Sequence, residues 1–211
     1  MPEVTLKERA YQELRRLIIN GELKQGEFLT ERSLAEKLEM SRTPIRSAVE
    51  RLESEGLVSY TPNKGIFISE MSLNKVVDFF DFRMAIESYV VRKLAIQSLS
   101  EEDRSWFEEN LGQQQDCLKR NDYSLFTELD SEFHRKLARV YGNSEVIQVM
   151  ERLQDKLFQI ALKVLRKDNS RIHASYNDHV HIYGCILKGD PDEASKEIIQ
   201  HLEFGKRILL F

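Results

Sequence analysis

The strongest constraint on this chain is a change of hydrophobic period. Two short β-prone runs, LVSY and IFIS, flank the turn TPNKG over residues 57–69, the pattern of a hairpin. From Ser72 onward there is no further strand signal, and apolar residues recur at helical spacing. A chain that confines its strands to one hairpin is mainly α. The switch falls near Glu70 to Leu73 and divides the chain into a module over 1–70 and a second over 71–211.

The first module predicts three helices before the hairpin. Residues 6–19 place Tyr11, Leu14, Leu17 and Ile18 on one helical face, and the turn-rich NGELKQGE ends that helix. Thr30 caps a short helix, TERSLAEKL. Ser41 caps the next, SRTPIRSAVERLESEG, with Pro44 in its first turn and Gly56 as its stop. Two short helices, a tight turn and a hairpin make a winged helix-turn-helix. In such a unit the second helix enters the DNA major groove by its N-terminal residues. Those residues are Ser41, Arg42, Thr43 and Arg46; Arg suits guanine edges, and Ser and Thr suit phosphates. Arg32 reaches for the backbone, and Asn63, Lys64 and Gly65 form a small wing tip.

Charge does not carry that reading. Residues 1–71 hold 11 Lys+Arg against 12 Asp+Glu, and the whole chain of 211 residues has a net charge of −4. Placement, rather than an excess of positive charge, has to do the work. Taken singly, Arg42 and Arg46 read as ordinary exposed charges.

The second module predicts an antiparallel bundle of about six helices, over 73–98, 101–120, 123–141, 144–167, 171–188 and 191–210. Ser100, Asn143 or Ser144, Ser170 and Asp190 are the expected caps. The breaks are Leu99-Ser100, Asn121-Asp122, Tyr141-Gly142 and Lys188-Gly189. In helix 123–141, Phe126, Leu129, Phe133 and Leu137 set the apolar centre. Asp130 and His134 border it, four residues apart, while Glu128, Glu132, Arg135 and Arg139 lie opposite. His179 falls among the inward residues of helix 171–188, and His201 among those of the last helix. His173 and His181 point away.

Any one of these histidines reads as a core-edge residue bonded to a backbone carbonyl. Three inward imidazoles and a carboxylate from three helices are harder to satisfy that way, because buried polar groups without partners are costly. A divalent ion satisfies them together, and the donor set suits Zn or Ni, with Mn not distinguished. Arg83 and Glu87 also face inward on helix 73–98. They are either a simple ion pair or a carboxylate receptor in which Glu87 orients Arg83.

The stretch LTERSLAEKLEMSRTPIRSAVERLESEGLV resembles the DNA-binding domain of the GntR family of bacterial transcription regulators, over about residues 8–68. Thr43-Pro44-Ile45-Arg46 and Glu55-Gly56-Leu57 carry the likeness. It implies DNA contacts from Arg32, Arg42, Thr43 and Arg46 and from the wing around Lys64 and Gly65. Family wings often carry an arginine–glycine pair where this chain has Asn63-Lys64-Gly65.

Over about 73–205 the chain resembles the helical FCD effector domain of the family's FadR-type branch. Arg83 with Glu87, Asp130 with Phe133-His134, Asp178-His179, and Gly189-Asp190-Pro191 followed by His201-Leu202 carry that likeness. It implies a metal held by Asp130, His134, His179 and His201, and Asp178 stands where the family often has glutamate.

The resemblance implies a homodimer on a pseudo-palindromic operator, regulated, in the manner of a repressor, by a small organic acid that meets the metal and Arg83. A metal-dependent hydrolase or oxygenase fused to a DNA-binding domain is the rival reading, and a purely structural metal is a third. No apolar run approaches the roughly 20 residues of a spanning helix. MPEVTLKERA lacks a signal-peptide core, and two cysteines make no disulfide framework, so a cytoplasmic protein is expected.

Overall fold

The computed structural model describes residues 5–19, 21–24, 26–61, 64–69, 73–153, 158, 160, 161, 163, 164, 168 and 171–210. The chain separates into two compact units, Met1–Met71 and Ser72–Phe211.

In the first unit, α1 (Leu6–Ile19), α2 (Glu31–Lys37) and α3 (Arg42–Ser54) enclose a core that includes Leu14, Leu34, Ile45, Leu52, Ile66 and Ile68. Thr30 closes a capping box: its hydroxyl accepts from the Ser33 amide, and the Ser33 hydroxyl accepts from the Thr30 amide. Ser41 occupies the cap position of α3 but makes no side-chain cap bond there, contrary to expectation.

The hairpin forms from β2 (Val58–Thr61) and β3 (Gly65–Ile68), with Val58 opposite Ile68 and Thr61 opposite Gly65. A third strand, β1 (Phe28–Leu29), pairs antiparallel with β3, so the sheet order is β1-β3-β2. No strand is expected there from the sequence, because two residues among turn formers leave no period to read. Gly65 makes the pairing possible. Its φ is +98°, and a Cβ on it would stand 2.4 Å from the Leu29 carbonyl oxygen.

The described elements of the second unit are all helices: α4 (Leu73–Ile96), α5 (Glu101–Arg120), α6 (Tyr123–Tyr141), α7 (Ser144–Arg152), α8 (Arg171–Lys188) and α9 (Pro191–Leu210). Ser100 accepts from the Asp103 amide, Asn143 from those of Glu145 and Val146, and Asp190 from that of Glu193. Asn121, Gly142 and Gly189 turn the chain in the left-handed region at the expected breaks. Ser170, also expected to cap, lies outside the described residues.

The helix expected over 144–167 ends at Arg152, with Leu153 at its C-cap. Helical residues recur at 158, 160, 161, 163 and 164. Packing of α7 on α6 also explains why Arg135 is buried rather than solvated. Its guanidinium pairs with Glu132 on its own helix and with Glu151 on α7. Within this unit α9 lies chiefly along α4 and α8, and α5 along α6 and α8.

Candidate metal centre and nucleic-acid interface

Helix α6 presents Asp130 and His134 one turn apart, α8 supplies His179 and α9 supplies His201. The three helices converge: each of the four side chains offers a donor atom, and these atoms all lie within 4.8 Å of one another. All four are buried, His179 completely. His173 and His181 are exposed, as their helical phase predicts.

Each imidazole is held by its Nδ1. His134 Nδ1 stands 2.5 Å from Glu87 Oε2, His179 Nδ1 2.8 Å from Gln114 Oε1, and His201 Nδ1 3.0 Å from Asp178 Oδ2. The Glu87 carboxylate only accepts, so His134 Nδ1 carries a hydrogen, whereas His201 Nδ1 also faces the Arg171 guanidinium at 3.1 Å; the Nε2 atoms take no part in these contacts. Burial pushes the His201 pKa down to about 4, against the pull of Asp178, and pushes His179 well below the usual imidazole range. His179 and His201 are therefore neutral, the form that binds metal.

Two of those Nε2 atoms test whether a cation fits. His134 Nε2 and His179 Nε2 are buried and have no hydrogen-bond partner among the described residues. Asp130 Oδ1 stands 3.5 Å from the latter, beyond a well-made bond. Orphaned acceptors of this kind carry the full desolvation penalty of on the order of 1–3 kcal/mol each. Neutral imidazoles with a carboxylate beside them are the donor set of a borderline divalent ion. The residues fit the group.

Arg83 and Glu87 are both buried, and Glu87 serves two partners. Its Oε1 accepts from Arg83 Nε at 2.6 Å while its Oε2 holds His134. Burial alone would raise its pKa, but Arg83 and His134 outweigh that and hold it at about 2. The ion pair and the imidazole anchor are one structure. Arg83 keeps a buried NH2 without a partner among the described residues. A small cavity of about 30 Å³ adjoins the cluster; Phe80, Arg83, Asp130, Arg171, Ser175 and His201 line it.

The predicted DNA contacts sit where α2, α3 and the wing meet solvent. Arg32, Ser41, Arg42, Thr43, Arg46 and Lys64 are exposed, and Gly65 is half-buried in the sheet. Asn63 lies outside the described residues. Arg46 donates from Nε and NH2 to the two oxygens of Glu31, each at 2.9 Å, and Arg32 donates to Glu36 at 2.7 Å.

Comparison with known proteins agrees with both units. Residues 6–68 match the family described as bacterial regulatory proteins, gntR family, and residues 78–204, more than half of the chain, match the FCD domain. The chain belongs to the GntR family of regulators, with an FCD domain. It is 27% identical over 203 residues to the HTH-type transcriptional repressor RspR of Escherichia coli K12, covering 96% of this chain and 88% of that one. It is 29% identical over 217 residues to the repressor NanR of Enterobacter sp. strain 638, covering 93% and 82%. The fold is similar to that of Escherichia coli McbR/YncC, with a TM-score of 0.80 at 20% identity over 99% of this chain and 98% of the other. These relatives are transcription regulators rather than enzymes, and this GntR-family chain is a DNA-binding regulator as they are. Among its described residues no helix is long and apolar enough to cross a membrane.

Three residues around the cluster escaped the sequence reading. Gln114 and Asn110 lie on α5, where an amide at an inward position looks like any other polar residue. Arg171 opens α8 and donates to Asp178 Oδ2 at 2.8 Å and to the His201 carbonyl at 3.2 Å. The one available signal was phase: Asn110 and Gln114 are four apart on the same face as the apolar Phe107 and Leu111.

Proposed function

We propose that this GntR-family chain is a cytoplasmic, metal-loaded repressor that senses a small organic acid. Residues 1–70 form the DNA-binding domain and 71–211 the effector-binding and dimerisation domain. Two copies read a pseudo-palindromic operator, one half-site each, with the N-terminus of α3 in the major groove. Arg46 and Arg42 read base edges, and Ser41, Thr43 and Arg32 take phosphates. The wing at Asn63, Lys64 and Gly65 follows the backbone. Arg46 reaches DNA by exchanging the Glu31 carboxylate for a base edge.

Asp130, His134, His179 and His201 would hold the ion, Zn or Ni by donor type, with Mn a third choice. When bound, it supplies positive charge and open coordination positions that a carboxylate can fill. The protein's own part is to keep His179 and His201 neutral, to hold Glu87 ionised between His134 and Arg83, and to turn Arg83 toward the cavity. A carboxylate there would meet Arg83 NH2. Occupancy changes operator affinity only so far as the acid prefers one arrangement of the domain over another.

The observation that carries this reading is the pair of buried Nε2 atoms, on His134 and His179, without a partner among the described residues, in a cluster whose Asp130 and His201 line a cavity with Arg83. The test measures metal content by elemental analysis and operator affinity by fluorescence anisotropy, with a panel of organic acids added. Wild-type protein should hold about one divalent ion per chain and release operator with at least one acid. His134→Ala should lose both the ion and the response. Full metal occupancy in His134→Ala would refute its ligand role.

A further inference from the structure

Of the three imidazoles in the cluster, His134 and His201 lean on carboxylates, but His179 leans on a neutral amide. An amide can face a ring nitrogen with either its oxygen or its NH2, so it does not by itself decide which nitrogen of His179 carries the hydrogen. The residues behind it do. The Leu129 backbone carbonyl can only accept, and it faces Asn110 Nδ2 at 3.2 Å. That fixes Asn110 with its oxygen toward Gln114, whose Nε2 donates to it at 2.7 Å. Gln114 must then present Oε1 to His179, and it does so at 2.8 Å. The direction of every bond follows from one carbonyl on α6.

The relay is closed to solvent: Asn110 is 4% exposed, and Gln114 and His179 are 0% exposed. The ring cannot swing out of it either. Phe133 stacks on His179 with centroids 4.4 Å apart and planes 19° from parallel. Were the hydrogen on Nε2 instead, it would be buried without a hydrogen-bond partner among the described residues, with Asp130 Oδ1 standing off at 3.5 Å.

We propose that Asn110 and Gln114 are positioning residues that lock His179 as its Nδ1–H tautomer, so that its Nε2 lone pair faces the cluster before any ion arrives. The role rests on the metal reading above only for its consequence, since the tautomer is a property of the metal-free protein. Partners of metal-bound imidazoles orient the ring, and their loss typically weakens metal binding by about 10–100-fold.

The test begins with metal-free wild-type protein labelled with ¹⁵N at histidine, at a pH where imidazole is neutral. Two-bond ¹H–¹⁵N correlation spectra should assign the hydrogen of His179 to Nδ1. Gln114→Leu removes the acceptor, and its His179 should shift toward the Nε2–H form. Its Zn²⁺ affinity, measured by chelator competition, should fall by about 10–100-fold. Gln114→Glu restores a group that can only accept, as Glu87 does for His134, and should recover the Nδ1–H signature. A His179 that is Nε2–H in wild-type protein overturns the proposal without recourse to any variant. So does a folded Gln114→Leu that binds Zn²⁺ as tightly as wild type. Wild-type protein that takes up no divalent ion would sink the metal reading, and the tautomer spectrum would still decide the relay.

Discussion

Glu87, Gln114 and Asp178 come from α4, α5 and α8, so each histidine of the cluster is oriented by a helix other than its own. A shift of any one helix is therefore felt at a ring nitrogen. At the reading head the side-chain logic differs, because its arginines are solvated. The Arg46–Glu31 pair is bidentate, yet the Arg46 side chain is 64% exposed. Exposed ion pairs contribute little to stability, so Glu31 orients Arg46 without anchoring it. Arg46→Ala should leave the melting temperature and metal content unchanged. It should weaken operator binding at fixed salt by about 1–3 kcal/mol, roughly 5- to 150-fold. Unaltered affinity would remove Arg46 from the base-reading face.

At the scale of elements, the turns decide how far the sequence can be read. Asn121, Gly142 and Gly189 end helices where expected, because a left-handed residue after a helical period is a local signal. Asp130, His134, His179 and His201 were legible for the same reason, since helical phase alone turns them inward. Of their partners, Glu87 and Asp178 were also singled out, but Gln114 was not. Gln114 matters through a residue 65 positions away in sequence, and nothing in the local pattern of α5 reports that contact. Strand β1 stayed hidden because its pairing depends on a backbone approach at Gly65 rather than on any pattern of its own. Arg135 was misjudged because α7 covers the face that a single helical wheel assigns to solvent. Gly65→Ala tests the hidden element. A methyl placed 2.4 Å from the Leu29 oxygen, on a backbone with φ +98°, must push β1 from β3. The N-terminal unit should lose on the order of 1–3 kcal/mol in chemical denaturation, with the metal content of the protein unchanged. A wild-type denaturation midpoint would show that the sheet does not depend on this approach.

At the scale of the molecule, two compact units with separate cores predict two unfolding events. The candidate metal centre lies wholly in the second, so a bound ion can stabilise only that one directly. An ion present at a thousand times its Kd contributes about 4 kcal/mol. Stripping it with a chelator should lower the melting temperature of the C-terminal unit by roughly 10 °C. The transition of the N-terminal unit should stay in place. Calorimetry with and without chelator checks this, and two transitions that fall together would show the units to be one cooperative body.

The spread of the cluster along the chain has a further consequence, in time. The sheet of the first unit is complete at Ile68, whereas the last candidate ligand is His201. Synthesis proceeds at about 5–20 residues per second, so on the order of ten seconds separate the two on every new chain. During that interval a nascent chain holds all the residues of its reading head but only part of its sensor.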